Sequence, residues 1–461
     1  MGSRTRHLAR TLLLPCLLAA GCARGPEPLR QIVLVTLDTL RSDHLTSYGY
    51  PRETAPFLAR LAEEGVVFEH AYTASSHTAP SHASFFTGRF PYQHGLRENG
   101  ERLDPGAQTL QAVLAAQGFA TAGFVGVGFL DGLATGFQHF EAQRFTAERQ
   151  PTAADVLGAA ERWLRFTPPD RPFLLWLHLY DVHEWSREDP VYAQAGEALR
   201  AEPGPRGAEL GAWLEAHHGL SLARLARRGG VAAIERYDAR IRHVDAALAR
   251  VFELVQARFL GPTLWVVTAD HGEGLGAHGY LGHGREHWRE QLQVPLLLWF
   301  SDARSARLRV PELVRSVDLL PSLAALAGAE LAAAAPAIEG RSWLPLLRGE
   351  PAGFPVDASF AERRPPEAKP GWEGDRHSLH TLRHKLVLSS AQPEAFFDLE
   401  RDPLELHALP EAGASAERGA LRERLAAIVG EARARNAIRA REPRAVPREH
   451  EAELRALGYL E

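Results

Sequence analysis

Residues 32–37 are apolar at every position but Thr36, and the run stops at Asp38. An uninterrupted apolar run bounded by a polar residue fits a strand buried on both faces of a parallel sheet, not the half-polar alternation of a solvated one. Comparable runs occupy 119–125, 173–179, 264–268 and 295–300, and apolar residues recur at helical spacing over 55–64, 110–117, 153–166, 232–259 and 317–326. Strands alternating with helices predict an α/β fold, with a large, mostly parallel central β-sheet flanked by helices on both faces. The 461 residues leave room for a smaller α+β unit as well. In such sheets ligands collect beyond the carboxyl ends of the strands. Asp38, Tyr180-Asp181 and Asp270-His271 stand at three of these ends.

The flanking segments divide the chain further. Residues 1–21 carry Arg4, Arg6 and Arg10, then about ten apolar residues, too few for the ~20 that span a bilayer, and read as a secretory signal peptide. Leu18-Ala19-Ala20-Gly21-Cys22 resembles the lipobox of bacterial lipoproteins, which places a lipidated Cys22 at the head of a short tether, 22–30. The alternative is plain secretion with a free thiol. The lipidated reading puts the protein in the bacterial cell envelope, exported and membrane-anchored. Residues 31–348 then form the catalytic domain, and 349–375, rich in Pro, Gly, Glu and Arg, a linker or loop. Residues 376–461 form the C-terminal subdomain, with short strands near 378–382, 385–389 and 395–399 and a charged helix over 415–435. Residues 186–230 read as an insertion beside the site, placed to act as a lid.

Charge narrows the chemistry. Lys and Arg number 52 against 57 Asp and Glu, so nothing suggests a nucleic-acid partner. The two lysines are Lys369 and Lys385, and both cysteines lie within the first 22 residues. Cations at a site before residue 369 must therefore come from Arg, His or a metal. Thr78 stands just before Pro80, which suggests a helix starting at that proline with the threonine at its positive end. The simpler reading is that Thr78 or Ser81 caps the helix. Asp38, Thr78, Asp270 and His271 together offer three oxygens and a nitrogen to one divalent metal ion, with Ca, Mg, Mn and Zn all compatible. Such an ion would help ionise Thr78 as a nucleophile. His183 and His283 can protonate a leaving oxygen or hold an anion, whereas His178, inside a buried strand, reads as a core residue.

The ordered set Leu37-Asp38-Thr39-Leu40-Arg41-Ser42-Asp43-His44, Thr78-Ala79-Pro80-Ser81-His82 with Thr87-Gly88-Arg89, Asp181-Val182-His183 and Asp270-His271-Gly272-Glu273 resembles the sulfatase family of the alkaline phosphatase superfamily. Gly340-Arg341-Ser342, Phe397-Asp398-Leu399 and the closing Leu454-Arg455-Ala456-Leu457-Gly458-Tyr459 extend the resemblance over nearly the whole chain. It implies a divalent metal, a helix-flanked sheet and a smaller C-terminal domain. It also implies that His82, in the place of a family arginine, and Arg89 help bind substrate or support the nucleophile loop, with His183 and His283 at the anion. Sulfatases carry Cys or Ser, converted to formylglycine, where Thr78 stands, and often a second Asp where Thr39 stands. No formylglycine is expected from threonine. Thr78 instead resembles the nucleophile of phosphodiesterases and phosphoethanolamine transferases of the superfamily.

These features point to a metal-dependent hydrolase cleaving phosphoric, phosphonic or sulfuric esters through Thr78. A membrane-tethered phosphoryl-group transferase acting on a surface glycan or lipid is the second reading, and a non-catalytic binding protein on the same fold the third. The expected partners are an anionic ester substrate, of glycan or lipid type, and a membrane reached through Cys22.

Overall fold

The computed structural model describes residues 27–461 except 147–148, 221, 227–228, 303, 305–306, 332–337, 365–373, 414, 440–447, 458 and 460–461. The expected signal peptide and Cys22 lie outside the described residues, as does the expected tether before residue 27.

The uninterrupted apolar runs form the middle of the main sheet. Strands β1 (Gln31–Leu37), β2 (Val66–Tyr72), β3 (Ala120–Val125), β4 (His139–Ala142), β5 (Phe173–Leu179), β6 (Thr263–Thr268), β7 (Leu296–Phe300) and β8 (Leu308–Arg315) assemble in the order β8-β2-β7-β6-β1-β5-β3-β4, with the short Gln293–Val294 beside β2. β1 pairs in parallel with both β5 and β6, and all three are buried at every residue. Of the eight, only β7 runs against its neighbours β6 and β2.

The strands without a sequence signature are those carrying polar residues. β2 contains half-buried Glu69 and His70, and β4 has no fully buried residue. β8 is an edge strand with Pro311 at a register shift between Val310 and Leu313, where a missing backbone donor costs no ladder bond.

Helices α1 (Pro56–Glu64), α2 (Thr78–Thr87), α3 (Leu110–Ala116), α4 (Ala153–Phe166), α5 (Ala193–Ala201), α6 (Gly207–His218), α7 (Val231–Arg258) and α8 (Leu319–Leu326) pack about this sheet. The insertion 186–230 contributes α5 and α6, both packed on α7. At the start of α1 the Asp245 carboxylate, reaching over from α7, accepts from the Phe57 and Leu58 N–H groups at 2.9 Å each. Those donors have no partner within their own helix.

The segment 349–375, expected as a linker or loop, instead contains a strand. β9 (Ser359–Arg363) joins β10 (Arg376–His380), β11 (His384–Ser389) and β12 (Ala395–Asp398) in an antiparallel sheet. Helix α9 (Ser415–Arg439) covers it, with Leu421, Leu425 and Val429 against Phe360, Leu379 and Phe396. Helix α10 (Arg448–Ala456) leaves this unit and returns to the large one. Its Leu454 belongs to the main core, and Glu453 Oε1 accepts from Gly128 N at 2.8 Å and Phe145 N at 2.9 Å. Among the described residues, no helix is long and apolar enough to cross a membrane.

Candidate active site

Asp38 follows β1 directly, Asp270 and His271 follow β6, and His183 lies in the turn after β5. Because β1 sits between β5 and β6, the three strand ends open on one point. Helix α2 faces that point with Thr78. The helix begins at Thr78 itself, not at Pro80, which falls at its third position. Proline is tolerated throughout the first turn, where no N–H is needed for an intrahelical bond. Thr78 is not a cap: its hydroxyl donates to Asp38 Oδ2 at 3.4 Å and stands 3.3 Å from His271 Nε2. Asn99 Oδ1 satisfies the Ala79 N–H at 2.9 Å, and Ser81 donates to the Asp270 carbonyl at 2.6 Å, tying helix to strand end.

The donor set fits a cation. Asp38 Oδ1 and Asp270 Oδ2 are both buried and without a hydrogen-bond partner. Asp270 Oδ1 is held by the His271 N–H at 2.9 Å and the Thr39 N–H at 3.3 Å, with Thr39 in a left-handed conformation (φ 59°). His271 Nδ1 donates to the Gly272 carbonyl, so Nε2 keeps its lone pair for the site, 3.4 Å from Asp270 Oδ2. Burial and the neighbouring Asp270 charge raise the Asp38 carboxyl to about 8. Burial also acts on Asp270, but His271, His82 and His178 outweigh it and hold that carboxyl low. Two buried carboxylates facing each other are the arrangement a divalent ion relieves.

The remaining expected residues divide. His183 and His283 converge, their rings 4.8 Å apart, and the His283 ring lies 4.5 Å from that of His271. Each is oriented by a carboxylate: His183 Nδ1 by Glu184 at 3.0 Å, His283 Nδ1 by Glu273 at 3.3 Å. Burial opposes charge on His183, but the Glu184 hydrogen bond and the Asp38 charge prevail and raise its pKa.

His82 does not offer a nitrogen to substrate. Its Nδ1 donates to the Thr78 carbonyl at 2.8 Å, and its Nε2 meets Thr36 Oγ1 at 3.0 Å. Burial lowers its pKa to about 3, so a neutral ring braces the first turn of α2 from behind. Thr36, the polar exception in β1, serves this contact and accepts from Trp176 Nε1. Arg89 lies past the far end of the ten-residue α2, about 15 Å from its start, and does not join the cluster.

Three further residues at the site had no role assigned from the sequence. His178 is fully buried, as expected of a core residue, yet its Nε2 also stands 3.2 Å from Asp38 Oδ2. Its single imidazole in an apolar strand reads as core whichever way it points. Glu184, beside His183, was equally silent, and Tyr459, whose hydroxyl reaches both His183 and His283, stood in the closing family-like motif with no role attached to it. A separate group, Asp43, His44 and His218, also has metal-ligand types, but Arg41 binds Asp43 through two nitrogens at 2.8 Å and Asp238 takes His44 Nδ1.

A fold of this kind with carboxylates, a histidine and a helix-start hydroxyl at the strand ends defines a hydrolase of the sulfatase type. The Sulfatase family model matches residues 30–329, and the chain belongs to the sulfatase family. It is an ester hydrolase by that membership. It is 28% identical to arylsulfatase A of Bos taurus over 84% of each chain. Among solved structures it is similar to the phosphonate monoester hydrolase of Agrobacterium radiobacter (TM-score 0.68, 20% identity, 88% of this chain and 96% of that one). A second similar structure is a complex with its substrate D-glucosamine-2-N,6-O-disulfate (TM-score 0.66, 17% identity, 88% and 98% covered).

Proposed function

We propose that this sulfatase-family hydrolase is metal-dependent and cleaves an anionic ester through Thr78 as an unmodified nucleophile. The observation that carries the reading is the placement of the Thr78 hydroxyl, at the start of α2, against Asp38 and His271, beside two unpartnered carboxylate oxygens. Asp38, Thr78, Asp270 and His271 would hold the ion. A bound divalent cation supplies positive charge that favours the ionised hydroxyl and offsets the charge of the ester.

The chain's own groups do the rest. The α2 amino terminus adds the positive end of its dipole. The Thr78 hydroxyl passes its proton to Asp38 Oδ2, to which it already donates. Thr78 Oγ1 forms a bond to the central phosphorus or sulfur as the bond to the leaving oxygen breaks, while His183, whose pKa is raised, delivers a proton to that oxygen. His283 hydrogen-bonds a non-bridging oxygen. Water, giving a proton to the His183 ring, then attacks the central atom of the threonine ester, and the departing Thr78 oxygen regains its proton from Asp38.

A threonine β-carbon does not yield formylglycine by the cysteine or serine routes. Without that aldehyde's elimination step, an ester of phosphorus is preferred over a sulfate, because water can resolve phospho-threonine by attack at phosphorus. The sulfated sugar in a similar structure supports a glycan as the group bearing the ester. Lipidation at Cys22 would hold the enzyme at the cell envelope, near such glycans.

The test is hydrolysis of matched p-nitrophenyl phosphate mono- and diesters, a phosphonate and a sulfate under Mn, Zn, Ca and Mg. Thr78→Ser should keep part of the activity and Thr78→Val none. Acid quenching should leave the mass of the transferred group on the Thr78 peptide. A fully active Thr78→Val enzyme would end the threonine mechanism.

A further inference from the structure

Two of the groups assigned above to the reacting ester meet a residue from the far end of the described chain. Tyr459 Oη lies 2.9 Å from His183 Nε2 and 3.1 Å from His283 Nε2. Both histidines carry a proton on Nδ1, since Glu184 and Glu273 can only accept there when ionised. The two Nε2 atoms are left to face the site. Two hydroxyls stand within reach: Tyr180, 3.0 Å from His183 Nε2, and Tyr459, which faces both. Tyr459 Oη thus sits between the two Nε2 atoms with one proton to give.

The segment that delivers this phenol is firmly seated. Glu453 on α10 takes the Gly128 and Phe145 N–H groups, and His450 Nε2 lies 3.1 Å from Asp131 Oδ2. Leu454 is buried in the main core, and the Tyr459 N–H donates to the Leu454 carbonyl at 2.8 Å. The Phe129 ring meets Tyr459 edge-on, 5.8 Å between centroids. Withdrawing the phenol by moving α10 would strand the Gly128 and Phe145 donors, so the geometry favours a fixed wall over a removable stopper.

We propose that Tyr459 is a further catalytic residue of the ester site, its oxygen seated between His183 and His283 and its one proton donated to a non-bridging oxygen of the bound ester. This rests on the site assignment above, since that oxygen must lie beside Thr78 and the two Nε2 atoms. A phenol keeps its proton at neutral pH, so the donor stays in place.

The experiment compares metal-loaded wild type with Tyr459→Phe, which keeps the ring against Phe129 and loses only the hydroxyl. Three quantities are read: kcat and KM on the best ester of the panel, the Kd of inorganic phosphate by calorimetry, and the melting temperature. The expected result is a kcat lower by about 100-fold and a phosphate Kd raised by about 10-fold, with the melting temperature unchanged. Unchanged kcat and phosphate affinity would overturn the proposal and leave Tyr459 a packing residue. A higher kcat/KM with tighter phosphate binding would overturn it the other way, making the hydroxyl a plug. If neither protein cleaves any ester but Tyr459→Phe still weakens phosphate, Tyr459 remains an anion donor and the hydrolytic reading through Thr78 is what fails.

Discussion

Replacing Asp270 with asparagine separates its charge from its structural work. Asp270 Oδ1 accepts from the His271 and Thr39 N–H groups at 2.9 and 3.3 Å, and an asparagine carbonyl can keep both bonds. Oδ2 is the atom that faces the site, buried and without a hydrogen-bond partner. Asp270→Asn therefore leaves the strand end folded and removes one negative charge from the donor set. Removing one member of a buried ionic contact costs about 3–5 kcal/mol, and unit charges 4 Å apart at an effective dielectric of 20 give about 4 kcal/mol. At about 1.4 kcal/mol per decade, metal affinity should fall by roughly two to three and a half powers of ten. The assay is calorimetric titration with Mn and Zn, together with metal content after dialysis and turnover at saturating metal. The substitution should also lower the pKa of the Asp38 carboxyl, which burial and Asp270 together raise to about 8 in the metal-free protein. Wild-type affinity and turnover in Asp270→Asn would refute the metal site.

Glu184→Gln should lower the pKa of His183, because the Glu184 hydrogen bond is a main cause of its upward shift against burial. The protonated ring dominates below its pKa, so the alkaline limb of kcat/KM should move to lower pH while the rate near pH 6 changes less; an unmoved limb would remove His183 as the titrating acid. Asp245→Ala strips the acceptor from two buried N–H groups at the start of α1 and should lower stability by about 2–4 kcal/mol, read from the urea midpoint. Burial raises the Asp245 carboxyl from 3.8 to about 7, so between those values the folded protein binds a proton that the unfolded chain releases. The contribution of this group to stability accordingly falls as pH rises through that window, and Asp245→Asn should abolish its part of the slope.

The central strands could be read from the chain because burial on both faces imposes an unbroken apolar run, as in β1, β5 and β6. Their polar endings marked Asp38, Asp181 and Asp270 as candidates for the same reason: the run stops where the strand leaves the core. β2, β4, β8 and β9 went unread, since edge or partly exposed strands keep residues such as Glu69 or Pro311 and break the pattern. The order of strands was also beyond the sequence, and it is this order, with β1 between β5 and β6, that brings Asp38, His183 and Asp270 to one point. Orientation required the tertiary structure in the same way. His82 and His183 are the same residue type near the same helix and strand ends, yet one braces a backbone carbonyl from behind while the other faces Tyr459, 276 positions along the chain. Local sequence reports how much of a side chain is buried through its periodicity. Which atom a ring nitrogen meets depends on elements that pack together only after the chain has closed over hundreds of residues.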